Sequence, residues 1–90
     1  MGNIHTSGED YLETILVLWN KQNGEVRSID VARELNVTKP SVSNAMKILR
    51  EGKFITMDEN GFITLTEAGR YVAEKIYEKH LVLTEWLVSL

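Results

Sequence analysis

The side chains with the clearest binding chemistry lie between positions 38 and 50. At about 100° per residue, the apolar residues of this stretch share one side of a helix, and the hydroxyl, amide and basic residues share the other. A helix of this kind in the major groove of DNA offers hydrogen bonds to base edges and positive charge to phosphates. Asn44 is the best candidate for base readout, because an amide can form two hydrogen bonds with adenine. The apolar side holds Val42, Ala45, Met46 and Leu49, and the candidate DNA contacts are Thr38, Lys39, Pro40, Ser41, Ser43, Asn44, Lys47 and Arg50.

Any surface helix has a polar side, so the neighbouring elements must decide whether this one reads DNA. Thr38 is a good N-cap and Pro40 is tolerated only in a first turn, so the helix should run from residue 39 to about Glu51, where Gly52 stops it. We expect Ser28 to cap a shorter helix before it, ending near Leu35. The core positions expected of that helix are Ile29, Val31, Ala32 and Leu35.

Three further elements complete the predicted fold. A helical pattern over about residues 8–22 follows a possible cap at Ser7 and ends at Asn23-Gly24. Two apolar-rich runs, 54–57 and 62–65, flank an Asn-Gly turn signal and predict a hairpin. Thr66 can cap a last helix, which could reach Leu90. The prediction is a mainly α winged helix-turn-helix with three helices, a two-stranded wing and a long C-terminal helix. Residues 1–66 would form the DNA-binding domain, and residues 67–90 would lead to a truncated or missing dimerisation domain.

The net charge of −3 is unusual for a nucleic-acid-binding chain, but the charge is unevenly distributed. Residues 27–53 carry +3, whereas residues 1–26 and residues 54–90 each carry −3. The basic part therefore coincides with the predicted reading helices. Asp58 and Glu59 make the wing tip acidic, so Arg27, just before the second helix, is the more suitable phosphate contact.

Composition excludes several classes of protein. The absence of cysteine excludes disulfides, thiolate metal sites and cysteine nucleophiles, and it suits the cytoplasm. No apolar run is long enough to span a membrane. No nucleophile–base pair and no glycine-rich phosphate loop is present, so we expect neither an enzyme nor a small-molecule substrate.

Four segments together resemble the iron-dependent (diphtheria-toxin-type) repressor family, and the resemblance covers nearly all of the chain. Members of this family are cytoplasmic bacterial repressors that bind DNA as dimers when loaded with divalent iron or manganese. The resemblance implies a metal-responsive transcriptional repressor that binds operator DNA as a homodimer through the helix 39–51. The segments are residues 7–13 (SGEDYLE), 37–43 (VTKPSVS), 61–69 (GFITLTEAG) and 79–80 (KH).

The resemblance also implies a metal site. Asp10 and Glu13 project from one side of the first helix, and His80 interrupts an apolar stripe of the last helix. If these helices pack together, two carboxylates and one imidazole converge, and this donor set suits Mn²⁺ or Fe²⁺. The manganese-responsive branch of the family similarly has an acid at the position of Asp10, so Mn²⁺ is the preferred metal. Each residue also has a structural explanation, since helix dipoles favour acids in first turns and a histidine can belong to a core.

The family's remaining metal ligands and dimerisation helices follow the region that this chain resembles. We therefore expect the DNA-binding half of a metalloregulator, with part of the metal site. Residues 81–88 are apolar nearly all round, and we expect them to pair with a second copy or to fold back on the first helix. Two other functions stay open: a metal-independent winged-helix regulator, and a protein-interaction winged helix that does not bind DNA.

Overall fold

A computed structural model describes the backbone of residues 8–89 and the side chains of residues 8–79. The predicted winged helix-turn-helix is confirmed, with small differences at the ends of elements. The helices are α1 (Gly8–Lys21), α2 (Ser28–Leu35), α3 (Lys39–Glu51) and α4 (Glu67–Ser89). Between α3 and α4, strands β1 (Ile55–Met57) and β2 (Ile63–Leu65) pair antiparallel, with Ile55 opposite Leu65.

One apolar core joins the helices and the hairpin. Ile15 of α1, Met46 of α3 and Ile63 of β2 are each at most 2% exposed, and Ala73 brings α4 into the same core. The predicted apolar side of α3 is also confirmed, because Val42, Met46 and Leu49 are buried. Each buried aliphatic side chain contributes about 1.5–3 kcal/mol. This shared burial explains how strands of three residues persist, although an isolated hairpin is only marginally stable.

The start of α2 differs from the prediction. Ser28 is the first residue of the helix, and the N-cap is Arg27, in an extended conformation. A side chain inside the helix bonds back to the N-cap residue: the carboxylate of Asp30 accepts a hydrogen bond from the backbone N–H of Arg27 at 2.9 Å. A charged acceptor makes a strong hydrogen bond to a backbone N–H, so Asp30 fixes the start of the helix, although this bond is not the one expected of a Ser28 cap.

The prediction that Ile29 is a core residue is wrong. Its side chain is 43% exposed, whereas Val31 and Ala32 of the same helix are buried. Ile29 lies about 100° around the helix from the centre of that buried stripe, so it faces outward beside α3.

The boundaries of α3 follow the prediction. The backbone N–H of Ser41 donates to the Thr38 hydroxyl at 3.3 Å, and Pro40 lies in the first turn. Gly52 is the C-cap, but it has an ordinary right-handed conformation. The left-handed residue that turns the chain toward the wing is Lys53, with φ of 64°.

The hairpin is anchored within its turn and at the start of β2. At the tip, the Asp58 carboxylate accepts hydrogen bonds from the backbone N–H groups of Asn60 and Phe62, both at 2.9 Å. Gly61 has φ of 85°, as a turn of this kind requires. Where β2 begins, the N–H of Ile63 donates to the carbonyl oxygen of Val26 at 2.8 Å. The wing is therefore tied to the segment that precedes α2.

Thr66 caps α4 as predicted. Its hydroxyl accepts from the N–H of Gly69 at 3.1 Å and donates to the carbonyl of Lys53 at 2.7 Å. Gly69 is buried, and a Cβ at this position would overlap the carbonyl oxygen of Phe54. The cap expected at Ser7 lies outside the described residues, as do the side chains of residues 81–88. Among the helices that the structure describes, none combines the length and the apolar character needed to cross a bilayer.

Candidate nucleic-acid interface

The predicted reading surface is exposed along the whole of α3. The buried side of the helix holds only apolar residues, and the outward side carries the hydroxyl, amide and basic groups together with Ile48, which is 58% exposed. Asn44 lies near the middle of the outward side, opposite the core. The face is therefore mainly polar where it meets solvent and apolar where it meets the protein. The exposed residues among the predicted contacts are Arg27, Thr38, Lys39, Pro40, Ser41, Ser43, Asn44, Lys47 and Arg50.

The first turn of this face is held by a local network. The Thr38 hydroxyl donates to the Ser41 hydroxyl at 2.9 Å and also caps the helix. These two side chains are partly engaged with each other, so they hold the turn that presents Lys39. Ser43 and Asn44, further along the helix, are the better candidates for contacts with base edges.

Two grooves lie along the face. One, of about 270 Å³, lies between α2 and α3 and is lined by Ser28, Ile29, Lys39, Val42 and Ser43. The other, of about 500 Å³, lies by the last turn of α3 and is lined by Lys47, Arg50 and Glu51. The exposure of Ile29 thus gives the first groove an apolar wall beside a hydroxyl and an ammonium group. Sequence reasoning missed this contribution, because β-branched residues at helical spacing usually indicate a core.

Arg27 is placed at the junction of the reading helices and the wing. Its guanidinium carbon lies 4.4 Å from the centroid of the Phe62 ring, so the charged group is stacked on the residue that ends the turn of the wing. The role of Phe62 was not predicted. Its only signal in the sequence is an aromatic residue directly after an Asn-Gly turn.

The acidic wing tip has a structural use. Asp58 accepts two backbone hydrogen bonds within the turn, so its carboxylate organises the hairpin. A negative charge fixed there repels phosphates, which agrees with the expectation that Arg27 is the better phosphate contact.

The predicted metal ligands are only partly within the described side chains. Asp10 and Glu13 are half-buried, one turn apart on α1. Helix α1 packs against α4, to which His80 belongs, but the side chain of His80 lies outside the described residues. Over residues 8–79, no group of three or more histidine, aspartate or glutamate side chains is close enough to hold a metal. The two carboxylates fit a hard divalent cation by donor type and partial burial, and they would supply only part of its ligands.

Burial affects one titratable group close to these acids. Tyr11 is 4% exposed, and its desolvation raises the pKa of the phenol above its usual value of 10.0. The phenol therefore stays neutral between the core and the acidic first turn of α1. No charged side chain among the described residues is buried.

Comparison with known proteins supports this interpretation of the surface. Residues 3–62 match the family described as iron dependent repressor, N-terminal DNA binding domain. The chain is 34% identical over 81 residues to an uncharacterised HTH-type transcriptional regulator of Methanocaldococcus jannaschii, covering 90% of this chain and 65% of the relative. It is 32% identical over 84 residues to the transcriptional regulator MntR of Salmonella typhimurium, covering 91% of this chain and 52% of the relative. The chain thus spans only part of the length of these relatives.

Two solved structures extend the comparison. A crystal structure of ScaR with bound Zn²⁺ is similar with a TM-score of 0.68 and 26% identity, over 82% of this chain and 34% of that protein. The MepR–DNA complex of S. aureus is similar with a TM-score of 0.67 and 27% identity, over 89% of this chain and 61% of that protein. The family match covers more than half of the sequence, and the chain belongs to the iron-dependent repressor family, whose N-terminal DNA-binding domain it carries.

Proposed function

We propose that this chain binds operator DNA through α3 and represses transcription in response to a divalent metal, as a regulator without enzymatic activity. The observation that carries the proposal is the exposed face of α3, which is mainly polar and basic, on a helix whose opposite side packs into the core. The similarity to a regulator solved in complex with DNA supports it.

Different residues of this face would contact the DNA phosphates and read the base edges. Lys47 and Arg50 are exposed at the second groove and would neutralise phosphates. Asn44 would pair with a base, and Ser43 would add a hydroxyl beside it. Lys39 and Pro40 begin the helix where its N-terminus approaches the duplex, and Thr38 and Ser41 fix that turn.

For the metal, we propose that Asp10, Glu13 and His80 hold a divalent cation between α1 and α4. When bound, the cation supplies positive charge that neutralises the carboxylates and links the two helices. The acid at position 10 favours Mn²⁺, with Fe²⁺ as the alternative. The bound Zn²⁺ in ScaR supports a divalent cation in general. Asp10 and Glu13 lie at the start of α1, so ordering them would stabilise the entry into the first helix.

We further propose that the functional species is a cytoplasmic homodimer. Two copies with reading helices one DNA turn apart would contact successive major grooves. The expected pairing of residues 81–88 with a second copy remains a prediction, as does the division of the chain at residue 66.

The test is selection from a pool of random DNA duplexes at low salt, with Mn²⁺ or with a chelator. A shared motif that sharpens with Mn²⁺ is the expected result. The same motif in both arms would contradict the metal response and leave a metal-independent DNA reader. No motif in either arm would contradict DNA binding and favour a protein-interaction domain. Asn20→Ala, which removes an exposed amide from α1, is the control for Asn44→Ala, which should blur the motif.

A further inference from the structure

The contact between Arg27 and Phe62 adds a side-chain contact between two segments that the Ile63–Val26 hydrogen bond already joins. Arg27 precedes α2, and Phe62 precedes β2. The guanidinium carbon lies 4.4 Å from the ring centroid, well within the range of a cation–π contact. Arg27 is exposed and Phe62 is half-buried, so the ring lies against the guanidinium while the arginine as a whole stays accessible to solvent.

Backbone contacts fix both partners. The N–H of Phe62 donates to the Asp58 carboxylate at 2.9 Å, and the next residue donates to Val26 at 2.8 Å. The N–H of Arg27 donates to Asp30 at 2.9 Å. With both backbones held, the main freedom left at this junction is the rotation of the long arginine side chain.

Stacking removes much of that freedom before DNA arrives. A guanidinium can stack through its face and still donate hydrogen bonds through its edge, which a lysine ammonium cannot do in the same way. Ordering the side chain in advance lowers the entropic cost of a later contact. An exposed arginine with no ring beneath it would bear that cost on binding.

We propose that Phe62 is a positioning residue that holds the guanidinium of Arg27 ready to contact a DNA phosphate. The proposal rests on the proposed DNA-binding function and adds a role for the wing: the aromatic ring at the end of its turn, rather than its acidic side chains, serves DNA binding. The contact is electrostatic and independent of base sequence, so its effect should be the same on every duplex.

The test is a double-mutant cycle on DNA binding with the full chain. Phe62→Leu should weaken binding about two- to five-fold, the range expected for an exposed cation–π contact. Arg27→Ala should weaken binding on selected and random duplexes alike and make the salt dependence shallower by about one phosphate contact. In the Arg27→Ala background, Phe62→Leu should change affinity by less than about two-fold, because its effect acts through Arg27.

Two further variants separate positioning from loss of structure. Phe62→Tyr keeps the ring and should restore the wild-type affinity. Phe54→Leu removes another half-buried aromatic ring beside the hairpin and is the matched control, because its effect should not depend on Arg27. If Phe62→Leu fails to fold, NMR of the wild type still decides: the Arg27 side-chain protons should show ring-current shifts in free protein and in the DNA complex.

In a chain that binds DNA, either of two results would overturn the positioning role. The first is that the affinity losses of Arg27→Ala and Phe62→Leu add in the double variant. The second is that the Arg27 protons show no ring-current shifts in the complex. A wild-type chain that binds no duplex at any salt concentration would instead overturn the proposed function, and the inference with it.

Discussion

Asn44 and Lys47 lie on the same exposed face of α3, about one turn apart, yet they offer different chemistry. An amide presents a donor and an acceptor in fixed geometry, whereas an ammonium group is a point charge. The difference allows base readout and phosphate contact to be separated on one helix.

For Asn44→Ala, we expect a loss of about 1–3 kcal/mol on the selected duplex and a smaller loss on random DNA. Lys47→Ala should weaken binding to both duplexes equally and lower the salt slope by about 1. Titrations at several salt concentrations provide both measurements. Equal losses of Asn44→Ala on the two duplexes would remove it as a base reader.

The buried phenol of Tyr11 should make the free energy of unfolding depend on pH. Its folded-state pKa is raised above the unfolded value, because burial favours the neutral phenol. Its contribution is therefore fully present below pH 10.0 and is lost as the pH rises through the folded-state pKa. Denaturant unfolding at several pH values should show a steeper alkaline decline for the wild type than for Tyr11→Phe. Parallel declines would show that Tyr11 is not the group responsible.

Most residues with a local signal were predictable, apart from the cap expected at Ser28, and residues whose role depends on another element were not. Thr38 and Pro40 define a helix start by themselves, and the structure confirms it. Ile29 was assigned to the core, but its exposure depends on where α3 lies. Phe62 acquires its role from Arg27, 35 positions earlier in the sequence, through a contact that only the tertiary fold creates. Whether the predicted contacts touch DNA stays a prediction.

At the scale of elements, the way the chain turns from β2 into α4 explains why a glycine stands at position 69. Gly69 lies where the first turn of α4 crosses the backbone of Phe54, too closely for any side chain. Sequence patterns predicted both elements and the Thr66 cap but not this crossing, because it depends on how the elements pack.

Gly69→Ala should therefore destabilise the fold by about 1–3 kcal/mol, as overpacking does. Helix propensity alone would predict the opposite sign, since alanine is favoured over glycine by about 1 kcal/mol within a helix. Gly8→Ala is the control, because its Cβ would make an ordinary contact of 3.7 Å with Leu49. Thermal unfolding that shows Gly69→Ala to be as stable as the control would contradict the crossing.

At the scale of the whole molecule, the metal and the DNA should affect each other's binding. If a cation shared by α1 and α4 favours the DNA-binding arrangement, then DNA must strengthen cation binding by the same factor. Calorimetry with Mn²⁺, in the presence and absence of the selected duplex, measures this factor.

Asp10→Asn and Glu13→Gln should each weaken Mn²⁺ binding and reduce the effect of Mn²⁺ on DNA affinity. Glu9→Gln, which removes an exposed carboxylate next to Asp10, is the matched control and should leave both unchanged. If all three variants bind Mn²⁺ as the wild type does, the site lies elsewhere. A titration with Zn²⁺ would show how strictly the same ligands choose among divalent cations.

The bond from Ile63 to Val26 has a consequence for how the wing moves. The amide of Ile63 lies in a fully buried residue and is held by a carbonyl from outside the hairpin. Its hydrogen should therefore exchange with solvent as slowly as the amides of the core, in the class that opens only when the whole domain unfolds. A wing fastened in this way should not swing independently of the rest of the domain. If the chain binds DNA as proposed, the wing and the reading helix should then leave the duplex together.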